Sequence, residues 1–214
     1  MRVRDFMKTD VITVDIHTPI MAALDIMKHN KIKRLPVTKN GKFVGLVTRA
    51  MIRDASPSDA TSLSIWELNH IISQMTVEEI MLRDPKTVSP DLPLEEAILM
   101  GRELGIGASP VLENGELVGI ITQSDLAAVV ANALGLGEED TKRITLKTSG
   151  KRIGYIKGLA EVLDAHEIPV MSLMSLPRSE EGGGWWIILR VQAKDAVLAV
   201  EDLKQKGYKV ADVT

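Results

Sequence analysis

The feature that most constrains this sequence is an internal repeat of fifty residues. Residues 3–52 align with residues 77–126 at a constant offset of 74 positions and without a gap. Fifteen of the fifty aligned pairs are identical, and they include Pro19/Pro93, Asn40/Asn114, Gly41/Gly115 and Thr48/Thr122. Because self-similarity at a fixed period marks a repeated structural unit, the chain is predicted to contain two copies of one supersecondary motif.

Both copies carry the same local signals. A short apolar strand, at 11–14 in the first copy and 86–88 in the second, precedes a helix with Pro19 or Pro93 at its first position. Apolar residues in this helix recur at i, i+3, i+4 and i+7, as in Ile20, Ala23, Leu24 and Met27. The Asn-Gly pairs predict a tight hairpin turn because both residues tolerate positive φ. A closing helix is expected after each repeated Thr.

Two further segments complete the chain. Ser64 and Glu67 have the spacing of a capping box, which predicts a linker helix between the copies. Residues 143–214 are predicted to form strand, helix, strand, strand, helix, strand, which is the order of a ferredoxin-like fold. The first of these helices is predicted to pack through one face, which contains Ile156, Leu159, Ala160 and Leu163. Residues 178–184 are expected to form a flexible hairpin tip.

Composition excludes several classes of function. The chain has no Cys, which excludes disulfides, thiolate metal sites and Cys nucleophiles. Its four His are scattered, and no nucleophile with a partnered base and no Walker loop is present. A net charge of −3 gives no support for a nucleic-acid or anionic-membrane partner, and no apolar run approaches the ~18 residues of a membrane span. We therefore expect a cytoplasmic, non-enzymatic protein without a metal site.

The repeated order of strand, helix, hairpin and helix resembles the CBS motif. Leu35-Pro36-Val37 precedes the first hairpin turn, and Gly119-Ile120-Ile121-Thr122-Gln123-Ser124-Asp125 follows the second. The resemblance implies an α/β (α+β) fold in which tandem CBS motifs form one Bateman module over residues 1–140. Its parts are motif one at 3–55, a linker helix at 56–76 and motif two at 77–135.

Residues 143–214 look like an ACT domain. Lys151-Arg152-Ile153-Gly154 keeps the Gly of the turn that binds amino acids in many ACT domains, but it lacks the Asp and Pro. Dimerisation is therefore expected of this domain more than amino-acid binding. Trp185 and Trp186 are adjacent on a strand and should point to opposite faces, one into the core and the other to an interface or to solvent. The order CBS, CBS, ACT resembles the AcuB-type acetoin-utilisation accessory proteins.

The residues after Thr122 have two interpretations. A Thr-x-x-Asp sequence where a strand ends and a helix begins can cap the helix without any ligand. The same position offers free backbone N–H groups to a phosphate, hydroxyls on Thr122 and Ser124, and an Asp125 carboxylate that can accept hydrogen bonds from a ribose diol. The CBS resemblance favours the second interpretation and assigns the ribose to Asp125, while Ile120 supplies an apolar wall for a base.

By the same resemblance, Asp125 should face part of the first motif. Val11, Ile12 and Ile32 can sandwich a flat base, with Pro36 beside them, and Lys33 and Arg34 are cations suited to phosphates. The alternative for the two cations is a solvated basic patch. The reciprocal cleft, at Thr48, Met51, Gly107 and Ala108, has Met51 in the Asp position and lacks both cations, although Arg49 could still bind phosphate there.

These residues predict a regulatory protein that binds AMP, ADP or ATP, rather than S-adenosylmethionine, in one cleft. Ligand binding would be relayed through a homodimer and the ACT domain to an unknown target protein. The alternative is an ACT-based sensor of an amino acid or another small metabolite, with the CBS pair as scaffold. A hydrolase or transferase and a purely structural dimerisation module are two further hypotheses.

Overall fold

The computed structural model describes residues 1–55, 72–148, 154–178 and 184–214. The contacts divide the chain into an N-terminal unit, Met1–Ala127, and a C-terminal unit, Ala128–Thr214. The Ser64–Glu67 capping box lies outside the described residues, and of the predicted linker helix only residues 72–74 are described as helical. The turn at 151–153 and the hairpin tip at 179–183 also lie outside them.

The two repeated motifs fill the N-terminal unit. The first contains β1 (Val14–Asp15), α1 (Ile20–His29), β2 (Arg34–Lys39), β3 (Lys42–Thr48) and α2 (Arg49–Ala55). The second contains α3 (Val77–Ile80), β4 (Leu82–Arg83), α4 (Leu94–Glu103), β5 (Ala108–Glu113), β6 (Glu116–Thr122) and α5 (Gln123–Ala133). The first motif opens with a 3₁₀ turn at Val3–Asp5.

The predicted hairpins form in both motifs. Asn40 and Gly41 have φ of 52° and 76°, and Asn114 and Gly115 have φ of 53° and 86°. These angles belong to the left-handed region that an Asn-Gly hairpin turn requires. The hairpins place Arg34 opposite Thr48 and Ala108 opposite Thr122, so the start of each outgoing strand lies beside the start of a closing helix.

The first strand of each motif is shorter than predicted. In the first motif it begins at Val14 rather than Val11, because residue 11 turns back, with its amide donating to the Thr9 carbonyl. In the second motif the strand is reduced to one bridge, Val88 to Val111. This leaves Val11 and Ile12 outside any ladder and free to line a cleft.

Pro19 and Pro93 cap their helices instead of occupying the first helical position. Their ψ angles are 140° and 137°, which are extended. Proline fixes φ but leaves ψ free to be extended. Because ψ is extended here, each proline lies outside its helix, which begins one residue later than predicted. The buried face of α1 contains Ile20, Ala23 and Met27, in agreement with the predicted period.

Each motif borrows a backbone segment from the start of the other. Leu82, at the start of the second motif, pairs with Leu46 on β3. Lys8, at the start of the first motif, forms the equivalent bridge with Ile120 on β6, and two backbone hydrogen bonds of 3.0 Å join them. The exchange therefore obeys the same offset of 74 residues as the sequence repeat, and it ties both motifs into one unit.

Two equivalent glycines permit this exchange. A Cβ on Gly45 would lie 2.8 Å from the Leu82 carbonyl oxygen, and a Cβ on Gly119 would lie 3.1 Å from the Lys8 carbonyl oxygen. Backbone atoms cannot yield as a flexible side chain can. Glycine at these positions is therefore required by the close approach of the borrowed segments.

The C-terminal unit has the predicted order of elements. It contains β7 (Thr141–Lys147), α6 (Tyr155–Ala165), β8 (Ser172–Pro177), β9 (Trp185–Gln192), α7 (Ala193–Gln205) and β10 (Lys209–Val213). The strands lie in the order β10, β7, β9, β8, and every neighbouring pair is antiparallel. The order and pairing are those of a ferredoxin-like fold.

The buried face of α6 differs in part from the predicted one. Leu159, Val162 and Leu163 are the buried residues of α6, whereas Ile156 and Ala160 are exposed. Trp185 packs against the core, as one of the two tryptophans was expected to do. The other, Trp186, lies beneath the side chains of Lys147 and Arg178, whose charged ends are 5.6 and 5.3 Å from its ring centroid.

We expect Gly45→Ala to destabilise the protein by about 1–3 kcal/mol, because the added methyl group collides with the backbone of Leu82. Urea unfolding followed by circular dichroism measures the change. The matched control is Gly101→Ala in α4, whose Cβ would have its nearest neighbour at 3.5 Å and should stabilise the helix by about 0.5–1 kcal/mol. Equal stabilities of the two variants would contradict the role assigned to the close approach.

Candidate functional site

The predicted site residues surround one cleft within the N-terminal unit. This inter-motif cleft has a volume of about 370 Å³ and is lined by Lys8, Asp10, Val11, Ile12, Lys31, Ile32, Lys33, Arg34, Pro36, Gly107, Ile120, Thr122, Gln123 and Ser124. Nine of the ten predicted residues are in this set. Asp125 is the exception, since it is not part of the lining.

Asp125 lies at the rim of the cleft, where it caps α5. Its Oδ2 accepts hydrogen bonds from the Thr122 amide at 2.9 Å and from the Thr122 hydroxyl at 2.6 Å. The Thr122 hydroxyl lies 3.3 Å from the Asp125 amide, which donates to it. The capping interpretation of Thr-x-x-Asp is therefore realised, and it leaves Oδ1 outside the cap.

Oδ1 of Asp125 is paired with a lysine that the sequence did not single out. Lys8 Nζ lies 3.3 Å from Oδ1, and the Lys8 side chain is 64% exposed. An ion pair with such an exposed lysine contributes little stability, so a competing ligand can displace it. Lys8 arrives at this position through the borrowed segment that pairs with Ile120.

The pKa of Asp125 reflects this environment. Partial burial alone would raise the pKa of the carboxyl, but the Thr122 hydroxyl, the Thr122 amide and Lys8 all favour the charged form. Their combined effect holds the pKa of Asp125 below its ordinary value. The carboxylate is therefore ionised at neutral pH and can only accept hydrogen bonds, as a hydroxyl ligand requires.

The cations of the first motif lie where the sequence predicted them. Lys33 and Arg34 both line the inter-motif cleft, and Lys31 lines it as well. Arg34 extends across the cleft to Gly107 of the second motif, where a Cβ would collide with its guanidinium. No ion pair involves these three cations within the described part of the chain. Their charge is therefore available to an anionic ligand.

The reciprocal cleft differs from what the sequence predicted. It has a volume of about 540 Å³, and Thr48, Gly107 and Ala108 line it as expected. Met51 is absent from its lining, and its amide donates to the Thr48 hydroxyl at 3.2 Å. This cleft does contain cations, because Lys86 and Arg34 line it. The prediction that it lacks them was wrong, since the missing side chain of Gly107 gives Arg34 room to enter.

Arg49, which the sequence left as a possible phosphate ligand in the reciprocal cleft, lines a different cleft. This basic cleft has a volume of about 740 Å³ and is lined by Met21, Leu24, Lys28, Lys33, Arg34, Thr48, Arg49, Ala50, Ile52, Arg53, Ile72 and Ser73. It shares Lys33 and Arg34 with the inter-motif cleft. These two cations therefore contribute to both clefts.

Sequence reasoning missed several lining residues. Asp10, Lys31 and Gln123 are neighbours in sequence of residues that were predicted, so a wider window would have included them. Lys8 becomes a candidate only when the pairing of Leu46 with Leu82 is transferred, by the offset of 74 residues, to Ile120 and Lys8. Within the described residues, no group of three or more His, Asp or Glu could hold a metal ion.

Comparison with known proteins identifies the family of the two motifs. The sequence model of the CBS domain matches residues 3–58 and 77–132, which together make up more than half of the chain. The chain belongs to the CBS-domain family. The predicted tandem CBS pair is thereby confirmed.

Relatives of this chain differ in length and context. A CBS domain-containing protein of Dictyostelium discoideum is 30% identical over 134 residues, which cover 62% of this chain and 92% of that protein. An inosine-5'-monophosphate dehydrogenase of Korarchaeum cryptofilum is 31% identical over 165 residues, but the match covers only 32% of the enzyme. This chain therefore spans about a third of the dehydrogenase, and the activity of that enzyme is not transferred to it.

Two solved structures resemble this chain. A candidate acetoin utilization protein (AcuB) from Vibrio cholerae has a TM-score of 0.54 and 27% identity, with 65% of this chain and 96% of that chain covered. The protein CBSX2, solved in complex with AMP, has a TM-score of 0.51 and 26% identity, with 60% and 95% covered. No helix among the described residues is long and apolar enough to cross a membrane.

We expect Asp125→Asn to lower the free energy of unfolding by about 1 kcal/mol at neutral pH, because the variant loses the charged cap and the Lys8 ion pair. The folded-state pKa of Asp125 lies below its unfolded value. Its stabilisation is therefore complete above the unfolded pKa of about 4 and is lost as the pH falls through the folded pKa.

Urea unfolding of both proteins between pH 7 and pH 3 measures this difference, which should shrink as the pH falls. Asp10→Asn is the matched control, since Asp10 is exposed, lines the same cleft and has no ion pair or hydrogen bond among the described residues. A difference between wild type and Asp125→Asn that stays constant with pH would contradict the capping role of the carboxylate.

Proposed function

We propose that this protein is a non-catalytic regulator that binds an adenine nucleotide in the inter-motif cleft. The observation that carries the proposal is a cleft lined by apolar residues and by the cations Lys31, Lys33 and Arg34, with the ionised carboxylate of Asp125 next to it and paired with the lining residue Lys8. CBS pairs are typically regulatory, and a structural neighbour of this chain is solved with AMP bound. The family and the chemistry of the cleft therefore favour the same class of ligand.

Each part of a nucleotide has a partner in this cleft. Ile12, Ile32 and Ile120 offer apolar contacts to a purine ring, and Ile12 is the most accessible of them, with 37% of its surface exposed. Burial of this surface against a flat base would be favourable. Lys33 and Arg34 lie on the same lining and can bind a phosphate through charge-assisted hydrogen bonds.

The ribose is assigned to Asp125. Oδ2 is occupied by the helix cap, but among the described residues Oδ1 has only the exposed Lys8 as its partner. A ribose hydroxyl that donates to Oδ1 would displace Lys8 and leave the cap intact. Binding is thus compatible with the folded position of α5 and needs only the movement of one exposed side chain.

The remaining parts of the proposal concern the C-terminal unit. We infer that it is an ACT domain, an assignment supported by its βαββαβ order and its strand order. A homodimer, a relay of the nucleotide signal through that domain, a target protein and a cytoplasmic location remain predictions. Dimer formation is tested by light scattering, in which a monomer at micromolar concentration would contradict it.

Calorimetric titration of the purified protein with AMP tests the nucleotide site. We expect one AMP per chain, and at least tenfold weaker binding by Lys33→Gln and by Asp125→Asn, since each loses a charge-assisted hydrogen bond. Met51→Ala is the matched control, because Met51 occupies the position of Asp125 in the other motif and should leave AMP binding unchanged.

Lys33→Gln keeps the proposal falsifiable if Asp125→Asn is unstable, because the Lys33 side chain is exposed and takes no part in the cap. No binding of AMP, ADP or ATP at millimolar concentration would overturn the proposed function. An unchanged affinity of Lys33→Gln for AMP would show that the phosphate does not bind at Lys33.

Gly107→Ala tests the position of Arg34 separately. The added methyl group would occupy the place of the guanidinium, so Arg34 must move while the fold stays intact, because the end of an Arg side chain is flexible. We expect severalfold weaker AMP binding with little change in urea unfolding. An unchanged affinity would show that the guanidinium position is not used by the ligand.

A further inference from the structure

The proposed nucleotide site shares Lys33 and Arg34 with a second cleft, whose other lining residues have no part in the proposed function. The basic cleft is lined by five cations, which are Lys28, Lys33, Arg34, Arg49 and Arg53. No Asp or Glu is among its described lining residues. Five cations in one cleft constitute a strong local excess of positive charge on a chain whose net charge is −3.

Some of these cations are already neutralised and some are not. Lys28 pairs with Asp25 at 3.3 Å and Arg53 pairs with Asp54 at 3.1 Å. Lys33, Arg34 and Arg49 form no ion pair with a carboxylate in the described parts of the chain. The uncompensated charge of the basic cleft therefore lies on Arg49 and on the two cations that this cleft shares with the inter-motif cleft.

Arg49 is held beside Lys33 by the backbone. Its amide donates to the Lys33 carbonyl at 2.9 Å, which places the first residue of α2 next to the last residue before β2. Lys33 lines both clefts, whereas Arg49 lines only the basic one. A phosphate chain that starts at Lys33 and Arg34 would therefore meet Arg49 as it continues into the basic cleft.

Charge matching decides what length of phosphate chain suits these cations. A single terminal phosphate carries roughly two negative charges at neutral pH, which Lys33 and Arg34 alone can compensate. A triphosphate chain carries roughly four, and it requires further cations along its path to offset desolvation of its phosphates. Lys31 in the inter-motif cleft and Arg49 in the basic cleft supply them.

We propose that the ligand of this protein is a nucleoside triphosphate whose phosphate chain extends past Lys33 and Arg34 to Arg49 in the basic cleft. The proposal rests on the proposed function, because the base and the ribose stay in the inter-motif cleft. It adds a determinant, Arg49, that distinguishes a triphosphate from a monophosphate. A monophosphate in the same position would not reach Arg49.

Titration of the full chain with AMP, ADP and ATP, in the presence of a chelator and at two salt concentrations, tests the proposal. We expect affinity to rise from AMP to ATP and the affinity for ATP to fall more steeply with salt. Arg49→Gln should weaken ATP binding about tenfold and change AMP binding by less than twofold.

Arg83→Gln is the matched control for the loss of one positive charge. Arg83 lines none of the three clefts and is already paired with Glu78 at 3.8 Å, so ATP binding should be unchanged in this variant. If Arg83→Gln and Arg49→Gln weakened ATP binding equally, the effect would come from the loss of net charge alone, and the proposal would be overturned.

Two other results separate this proposal from the one it rests on. If AMP and ATP bind with equal affinity and Arg49→Gln affects neither, the triphosphate proposal fails and the nucleotide site stands. If none of the three nucleotides binds, both proposals fail together. Weaker binding of AMP as well as ATP by Arg49→Gln would also overturn the assignment of Arg49 to the distal phosphates.

Discussion

The N-terminal unit depends on the exchange of backbone segments between its two motifs. Lys8 and Ile120 are joined by a reciprocal pair of backbone hydrogen bonds, and Leu82 pairs with Leu46 in the equivalent way. Each motif pairs with a segment from the start of the other, so the exchange holds the two motifs in one unit. The same exchange places Lys8 beside Asp125 and brings the strand ends of both motifs to one cleft.

The structure shows that capping and ligand binding need not be alternatives for Asp125. The sequence leaves a choice between a capping box and a ribose acceptor, but a carboxylate has two oxygens. Oδ2 closes the cap with Thr122, and Oδ1 pairs with an exposed lysine. One carboxylate can therefore stabilise the start of α5 and still offer an acceptor to a ligand, and the cap fixes the direction in which that acceptor points.

Local signals predicted the elements well, and the fold of the two motifs followed from the repeat. The Asn-Gly turns and the period of Ile20, Ala23 and Met27 depend on neighbouring residues, so sequence alone was sufficient for them. The first strand was placed too early because the turn at Val11 is formed by a local backbone hydrogen bond, not by its apolar pattern. Lys8 was missed because only the pairing between distant segments brings it to the site.

The inter-motif cleft and the reciprocal cleft show how the two copies of a duplicated motif can differ in charge. Lys33 and Arg34 have Gly107 and Ala108 as their equivalents, and the sequence alone suggested that the reciprocal cleft had simply lost its cations. The absence of a side chain on Gly107 instead gives Arg34 room to extend to the second motif, so that Arg34 lines all three clefts. A lost side chain on one motif therefore determines where a retained charge on the other can lie. A ligand that drew the Arg34 guanidinium into one cleft would withdraw it from the others, so anion binding in one cleft would affect the charge of the other two.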